Sequence, residues 1–234
     1  LVGSEMCIRD RFSAIALTTM VLLVLLGPLV SPYEVDQTNW SKLAKPPSMQ
    51  DGHIFGTDDL GRDLFVRTMY GGRISLMVGI VATLVSVLIG VSYGAISGFV
   101  GGKVDSIMMR IVDVLYAMPF LFFVILLMVF FGRSIFLIFV AIGAVNWLDI
   151  ARIVRGQTLT IKGKEFVDAA KAGGVSTFRI IFRHIVPNLM GIVVVYVALT
   201  VPQVILVESF LSFLGLGCVL YTSPSPRDDE LSRM

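Results

Sequence analysis

The sequence predicts an all-α polytopic membrane helical bundle, and three observations carry that prediction. Of the 234 residues, 56% are hydrophobic and only 15% are charged, against roughly 45–50% apolar and about 25% charged in soluble domains. Mean hydropathy is +0.85. The apolar residues gather into runs near the roughly 20 residues needed to span a bilayer, separated by polar segments rich in Gly and Pro. The net charge of +2 gives no bulk electrostatic reason to bind nucleic acid. No GxxxxGK[ST] loop is present, so the chain has no phosphate cradle of that type for ATP.

Five spans are expected, in order. The first is 12–31 (FSAIALTTMVLLVLLGPLVS), too long for a signal-peptide core and without a small-residue cleavage site, so it reads as an anchor. A loop at 32–73 follows, with Pro32, Trp40, Pro46 and Pro47. Within it, Thr57 can cap a short helix, and Asp63 and Arg67 can pair at i, i+4. The second span is 74–100 and the third 107–131. The fourth is 134–150, extendable to Ile153, and the fifth runs from about 189 to 214.

The two ends share no pattern with their neighbours. "LVGSEMCIRD" at the start and "CVLYTSPSPRDDELSRM" at 218–234 resemble translations of a sequencing adapter. Residues 1–11 and 218–234 are therefore expected to be non-native, with the natural domain at 12–217. Both cysteines, Cys7 and Cys218, fall in these segments, so cysteine usage says nothing about redox compartment.

Orientation follows from the bias of Lys and Arg toward the cytoplasm. The 151–188 segment holds Arg152, Arg155, Lys162, Lys164, Lys171, Arg179 and Arg183, and the 101–110 turn adds Lys103 and Arg110. Opposite them stand Lys42, Lys45, Arg62, Arg67 and Arg73 in the 32–73 loop, and Arg133. This modest bias places 151–188 inside and 32–73 outside. The second span carries small residues every four positions, Ala82, Ser86, Gly90, Gly94 and Gly98. Such a stripe lets another helix approach closely, either within the bundle, which we favour, or in a dimer.

The charged stretch "KEFVDAAKAGGVSTFRIIFRHIVPN" (164–188) reads as two short helices. In the first, Phe166, Ala169, Ala170 and Gly173 share a side, and Gly173-Gly174 end it. Ser176 can cap the second, in which Phe178, Ile181, Phe182 and Ile185 recur at helical spacing with Arg179 and Arg183 opposite. Pro187 is expected to stop that helix and Asn188 to start the next span. By pattern alone this is a structured cytoplasmic loop, or an amphipathic wedge for a partner groove or the membrane lipid surface.

The wedge, with its D-A-A-x-x-x-G and a proline thirteen residues past Gly174, resembles the coupling loop of ABC-importer permeases, with Asp168 for the usual Glu and Val186 for a common Leu. "FGTDDLGRDLFVRTMYGGRISL", "RIVRGQTLTIKGKEFVDAAKAGG", "FRHIVPN" and "ESFLSFLGLG" resemble the dipeptide, oligopeptide or nickel subfamily, second permease subunit, over about 14–217. The resemblance implies transport by alternating access, with nickel or another small solute as the alternative cargo. It implies a heterodimer with a second permease subunit, two ATPase subunits that carry ATP and Mg, and an extracytoplasmic solute-binding protein. No cofactor is implied in this chain. ATPase coupling falls on Glu165, Asp168, Ala169, Ala170, Gly174, Arg179, Arg183 and Pro187, and helix packing on Ser86, Gly90, Gly94 and Gly98. The family normally continues to a sixth span, expected to be missing here.

No catalytic or metal-binding constellation is legible. His53 and His184 are the only histidines and lie far apart in the topology. A membrane-embedded enzyme would need paired carboxylates or a His cluster in the spans, and a passive channel would need a self-symmetric pore and no wedge. Glu208, near the outer end of the fifth span, either faces the translocation path or reaches the interface. Asp113 can pair with Arg110, and Asp149 with Arg152, at i, i+3.

Overall fold

The structure, a computed structural model, describes residues 2–48, 51–131 and 135–214. The adapter-like segment at 218–234 lies outside them. Contacts divide the chain into two compact units, one within residues 1–76 and one within 77–222. Eight α-helices are present among the described residues: α1 (Val2–Val30), α2 (Leu64–Val100), α3 (Gly102–Tyr116), α4 (Phe120–Phe131), α5 (Ile135–Lys162), α6 (Glu165–Ala172), α7 (Thr177–Ile180) and α8 (Val186–Phe213). A π-helical turn, Ile181–Ile185, joins α7 to α8. The only β pairing among the described residues is two isolated bridges, Ser48 with His53 and Thr57 with Asp63.

Three helices among the described residues are long and apolar enough to cross a membrane: Asp10–Val30, Leu64–Val100 and Thr177–Phe213. Among the described residues the regular structure is all helical, consistent with a membrane helical bundle. Two expected spans take a different form. The 107–131 run is split into α3 and α4, because Pro119 has no N–H and biases Met118 away from helix. Residues 135–150 of the fourth run sit in α5, which continues past the apolar residues to Lys162 as one 28-residue helix.

In the first unit α1 lies against the start of α2. A side chain on Gly27 would meet Met69 Cγ at 2.9 Å, and one on Gly72 would meet Val24 at 3.1 Å. Pro28, inside α1, offers no N–H to the Val24 carbonyl one turn back. Arg73 Nε supplies that donor at 3.1 Å, and the guanidinium also donates to the Leu25 carbonyl.

The loop between α1 and α2 is held by polar groups. Thr57 Oγ1 donates to the Lys42 carbonyl at 2.5 Å and accepts from Lys45 N–H at 2.9 Å. Asp58 accepts from the N–H groups of Leu60 and Arg62 and from Arg62 Nε, at 2.8–2.9 Å. Burial pushes its carboxyl up, but the hydrogen bonds from Arg62 and Leu60 outweigh it and hold the group below the usual carboxylate range. His53, stacked on Tyr33 at 4.4 Å, shares a buried 2.8 Å hydrogen bond with Asp63.

Two sequence expectations fail in this loop. Thr57 caps no helix; Asp63 does, its carboxylate accepting from Val66 N–H at 2.9 Å at the start of α2. Asp63 does not pair with Arg67, which lies 3.7 Å from Asp58 instead. The folded loop places His53 against Asp63 across ten residues, and a contact at that separation is invisible to helical spacing.

The described residues of the second unit form an apolar core. Val91, Ala95 and Phe99 of α2 meet Ile150, Val154 and Ile161 of α5, and Val167, Ile180, Ile181, Ile185, Leu189 and Val193 complete it.

Candidate functional site

The α6–α7 hairpin is built from apolar residues placed inward and a glycine at its bend. Val167, Ile180, Ile181 and Ile185 are each at most 2% exposed. Burying such a side chain is worth roughly 1.5–3 kcal/mol, so these four hold the hairpin to the bundle. α6 ends in a Schellman motif: Gly174 N–H donates to the Lys171 carbonyl at 3.0 Å and Val175 N–H to the Ala170 carbonyl at 3.1 Å. The motif needs a left-handed residue after the cap, and Gly174 supplies it with φ +72°. Nothing lies within 4 Å of a Cβ built there, so the bend is open to a partner.

The buried stripe differs in part from the expected one. Phe166 is 38% exposed and Phe178 69% exposed, while Val167 and Ile180 point inward. α6 is rotated relative to the periodic reading, whereas in the second helix Ile181, Phe182 and Ile185 pack inward as expected and only Phe178 lies over the surface, against Phe182 at 4.5 Å. Ser176 occupies the N-cap position of α7 without a side-chain cap bond.

Pro187 does not stop the helix. Thr177–Phe213 is continuous through the π turn, with Pro187 in the first turn of α8. A widened turn absorbs a residue that lacks its N–H, and Asn188 Nδ2 donates to the His184 carbonyl at 2.6 Å.

The polar groups of the hairpin face outward. Glu165, Asp168, Ala169, Gly174, Arg179, Arg183 and Pro187 are exposed and Ala170 is half-buried. Asp168 takes a 3.0 Å bond from Lys171, whose ammonium also sits 5.8 Å from the Phe99 ring of α2. Among the described residues, Glu165, Arg179 and Arg183 make no ion pair.

The small-residue stripe of α2 lies against α5 within this chain. A Cβ on Gly90 would come within 2.7 Å of Ile150 Cβ, on Gly94 within 2.4 Å of the Ala151 carbonyl, and on Gly98 within 2.8 Å of the Arg155 carbonyl. Ser86 Oγ donates to the Ala82 carbonyl at 2.7 Å and to the Gly143 carbonyl of α5 at 3.2 Å. Below this seam a joint that sequence spacing did not reveal ties three helices. Arg155 of α5 donates twice to Asp105 of α3, at 2.6 Å each, and Ser97 of α2 donates to the same carboxylate. The residues involved are up to 58 positions apart in sequence, so no local signal marks them.

The remaining carboxylates are redistributed. Arg152 pairs with Asp113 at 2.7 Å and lies over the Tyr116 ring at 4.3 Å, so neither the Arg110–Asp113 nor the Asp149–Arg152 pair forms. Glu208 is buried, 1% exposed, and accepts from Ser212 Oγ at 2.9 Å. No group of three His, Cys, Asp or Glu among the described residues can hold a metal ion.

Comparison with known proteins agrees with this architecture. Residues 86–228 match the family described as binding-protein-dependent transport system inner membrane component. The chain is 61% identical over 205 residues to the oligopeptide transport system permease protein OppC of Escherichia coli (strain K12), covering 88% of this chain and 68% of that protein. It is 51% identical over 198 residues to the dipeptide transport system permease protein DppC of Bacillus subtilis (strain 168), covering 85% and 61%. It is 49% identical over 216 residues to the OppC of the same strain, covering 90% and 70%. A bundle of apolar helices with a polar hairpin and a family match over most of its length therefore belongs to the inner-membrane components of binding-protein-dependent transport systems, as a multi-pass protein of the bacterial inner membrane.

Proposed function

We propose that this chain is the second permease subunit of an ATP-driven importer of di- and oligopeptides, with no enzymatic activity of its own. The observation that carries the reading is the α6–α7 hairpin, whose apolar side is committed to the bundle while its charged and small residues stay exposed. The similarity to peptide permeases supplies the cargo. In this reading α1, α2, the α3–α4 pair, α5 and the Thr177–Phe213 helix form five spans, with the hairpin in the cytoplasm. The hairpin docks on one of two ATPase subunits, which hold ATP and Mg. A second permease completes the path, and an extracytoplasmic binding protein delivers the peptide.

The packing explains how a push on the hairpin reaches the spans. Val167, Ile180, Ile181 and Ile185 share one core with α2 and α5, so the hairpin cannot shift without moving both. The Asp105–Arg155 joint obliges α3 to follow α5. ATP-driven closure of the ATPase pair thereby becomes a rocking of the bundle between inward- and outward-open forms.

The test is Gly174→Asp in the assembled transporter. It is expected to leave the permease in the membrane, measured by immunoblot, while the ATPase subunits co-purify poorly and peptide uptake falls. Normal ATPase retention together with normal uptake would reduce the hairpin to a structural loop.

A further inference from the structure

A cavity of about 390 Å³ opens in the second unit where the α3–α4 break, α5 and α8 meet. Its walls include Tyr116, Pro119 and Val207, and three polar side chains face it: Asn146 and Asp149 of α5 and Gln203 of α8. Asp149 makes no hydrogen bond or ion pair among the described residues, and neither does Gln203. Asn146 spends its amide N–H on the Ile142 carbonyl at 3.0 Å, which leaves its oxygen as an acceptor. The cation nearest in sequence, Arg152, is engaged with Asp113 and Tyr116.

Asp149 and Gln203 are exposed to the open cavity and Asn146 is half-buried, so all three polar groups are within reach of a ligand entering it. Among the described residues no cation pairs with Asp149, which leaves its carboxylate available to a cationic ligand. Resting on the peptide-import reading above, we propose that this cavity binds the protonated amino terminus of a peptide in transit. Asp149 takes the ammonium, the Asn146 oxygen accepts a second N–H, and the Gln203 amide pairs with the peptide backbone. These contacts use only groups common to all peptides, so the site reads the main chain. The apolar wall leaves the side chains unspecified.

The experiment uses the complete transporter in proteoliposomes with its binding protein and a labelled tripeptide. Asp149→Asn is expected to lower uptake at subsaturating peptide about tenfold, the loss of one charge-assisted contact. Asp149→Glu is expected to restore most of it, and both variants to co-purify with the other subunits. In a Val207→Cys protein, saturating tripeptide is expected to slow alkylation of the cavity wall, and to stop doing so when Asp149→Asn is added. Undiminished uptake in Asp149→Asn, or peptide protection that survives it, would overturn the proposal. So would loss of co-purification with the second permease, which would assign the carboxylate to the subunit interface. A wild-type complex that moves another solute but no peptide would overturn the peptide reading itself, and the amino terminus as occupant with it.

Discussion

The loop between α1 and α2 spends its charged side chains on itself, whereas the α6–α7 hairpin leaves its own exposed. In the loop, Asp58 gathers Leu60, Arg62 and Arg67, Asp63 holds both His53 and the start of α2, and Thr57 bridges two strands of backbone. In the hairpin, the inward residues are Val and Ile, and the ion pair among the described residues is one on the surface, Asp168 with Lys171. Polar networks fix one conformation because each member is costly to leave unpaired. Apolar anchoring holds an element in place and leaves its polar face unused. The first construction suits a rigid scaffold, the second a surface that another subunit grips.

The sharpest way to break this contrast is at two glycines of nearly equal φ. Gly61 has φ +73° and Gly174 has φ +72°. A Cβ on Gly61 would lie 2.0 Å from the Asn39 carbonyl, while one on Gly174 meets nothing within 4 Å. Gly61→Ala therefore carries both strain and a backbone clash and is expected to unfold the loop, read as rapid proteolysis within 32–63. Gly174→Ala carries strain alone, about 1 kcal/mol, and is expected to leave the hairpin resistant to protease. Equal sensitivity would show that neighbours do not distinguish the two bends.

Next in size is Asp63→Ala. It removes the buried partner of His53 and the cap of α2 together, an expected loss of about 2–4 kcal/mol. Hydrogen exchange in the loop and the first turn of α2 is expected to rise in parallel. A rise in only one would separate the two roles.

Acid gives a smaller effect. The folded Asp58 carboxyl lies below its unfolded value. Its contribution is thus complete above the ordinary carboxylate range and is lost as pH falls through the folded value. Exchange protection at Leu60 and Arg62 is expected to stay flat from neutral pH to about 5, and to fall only below about 4. Early loss near pH 6 would put the loop's stability elsewhere.

Smallest is Asp168→Asn. Its pair with Lys171 is solvent-exposed, worth about 0–1 kcal/mol, so thermal stability is expected to be unchanged within error. If the hairpin docks on an ATPase as proposed, co-purification is expected to weaken all the same, because the carboxylate is exposed on the docking side. A drop in stability matching the loss of binding would make Asp168 structural.

Several features were legible in the sequence because they rest on local rules. Apolar run length marks α1, α2 and α8, since a span needs length and grease and nothing else. Four-residue spacing of small residues marks the face of α2 that α5 covers, and Gly174 marks the end of α6, since few residues accept its φ. What tertiary structure decided is which partner each charge takes. Helical spacing offered Asp63–Arg67, Arg110–Asp113 and Asp149–Arg152. The fold instead paired Asp63 with His53 and Arg152 with Asp113, joined Asp105 to Arg155 across 50 residues, and left Asp149 in a cavity. It also chose Val167 and Ile180 over Phe166 and Phe178 for the core, and carried the last helix through Pro187 by a π turn. Periodicity says which residues share a face. A charge's partner, and the side of a helix that is covered, depend on distances that exist only once distant segments have come together.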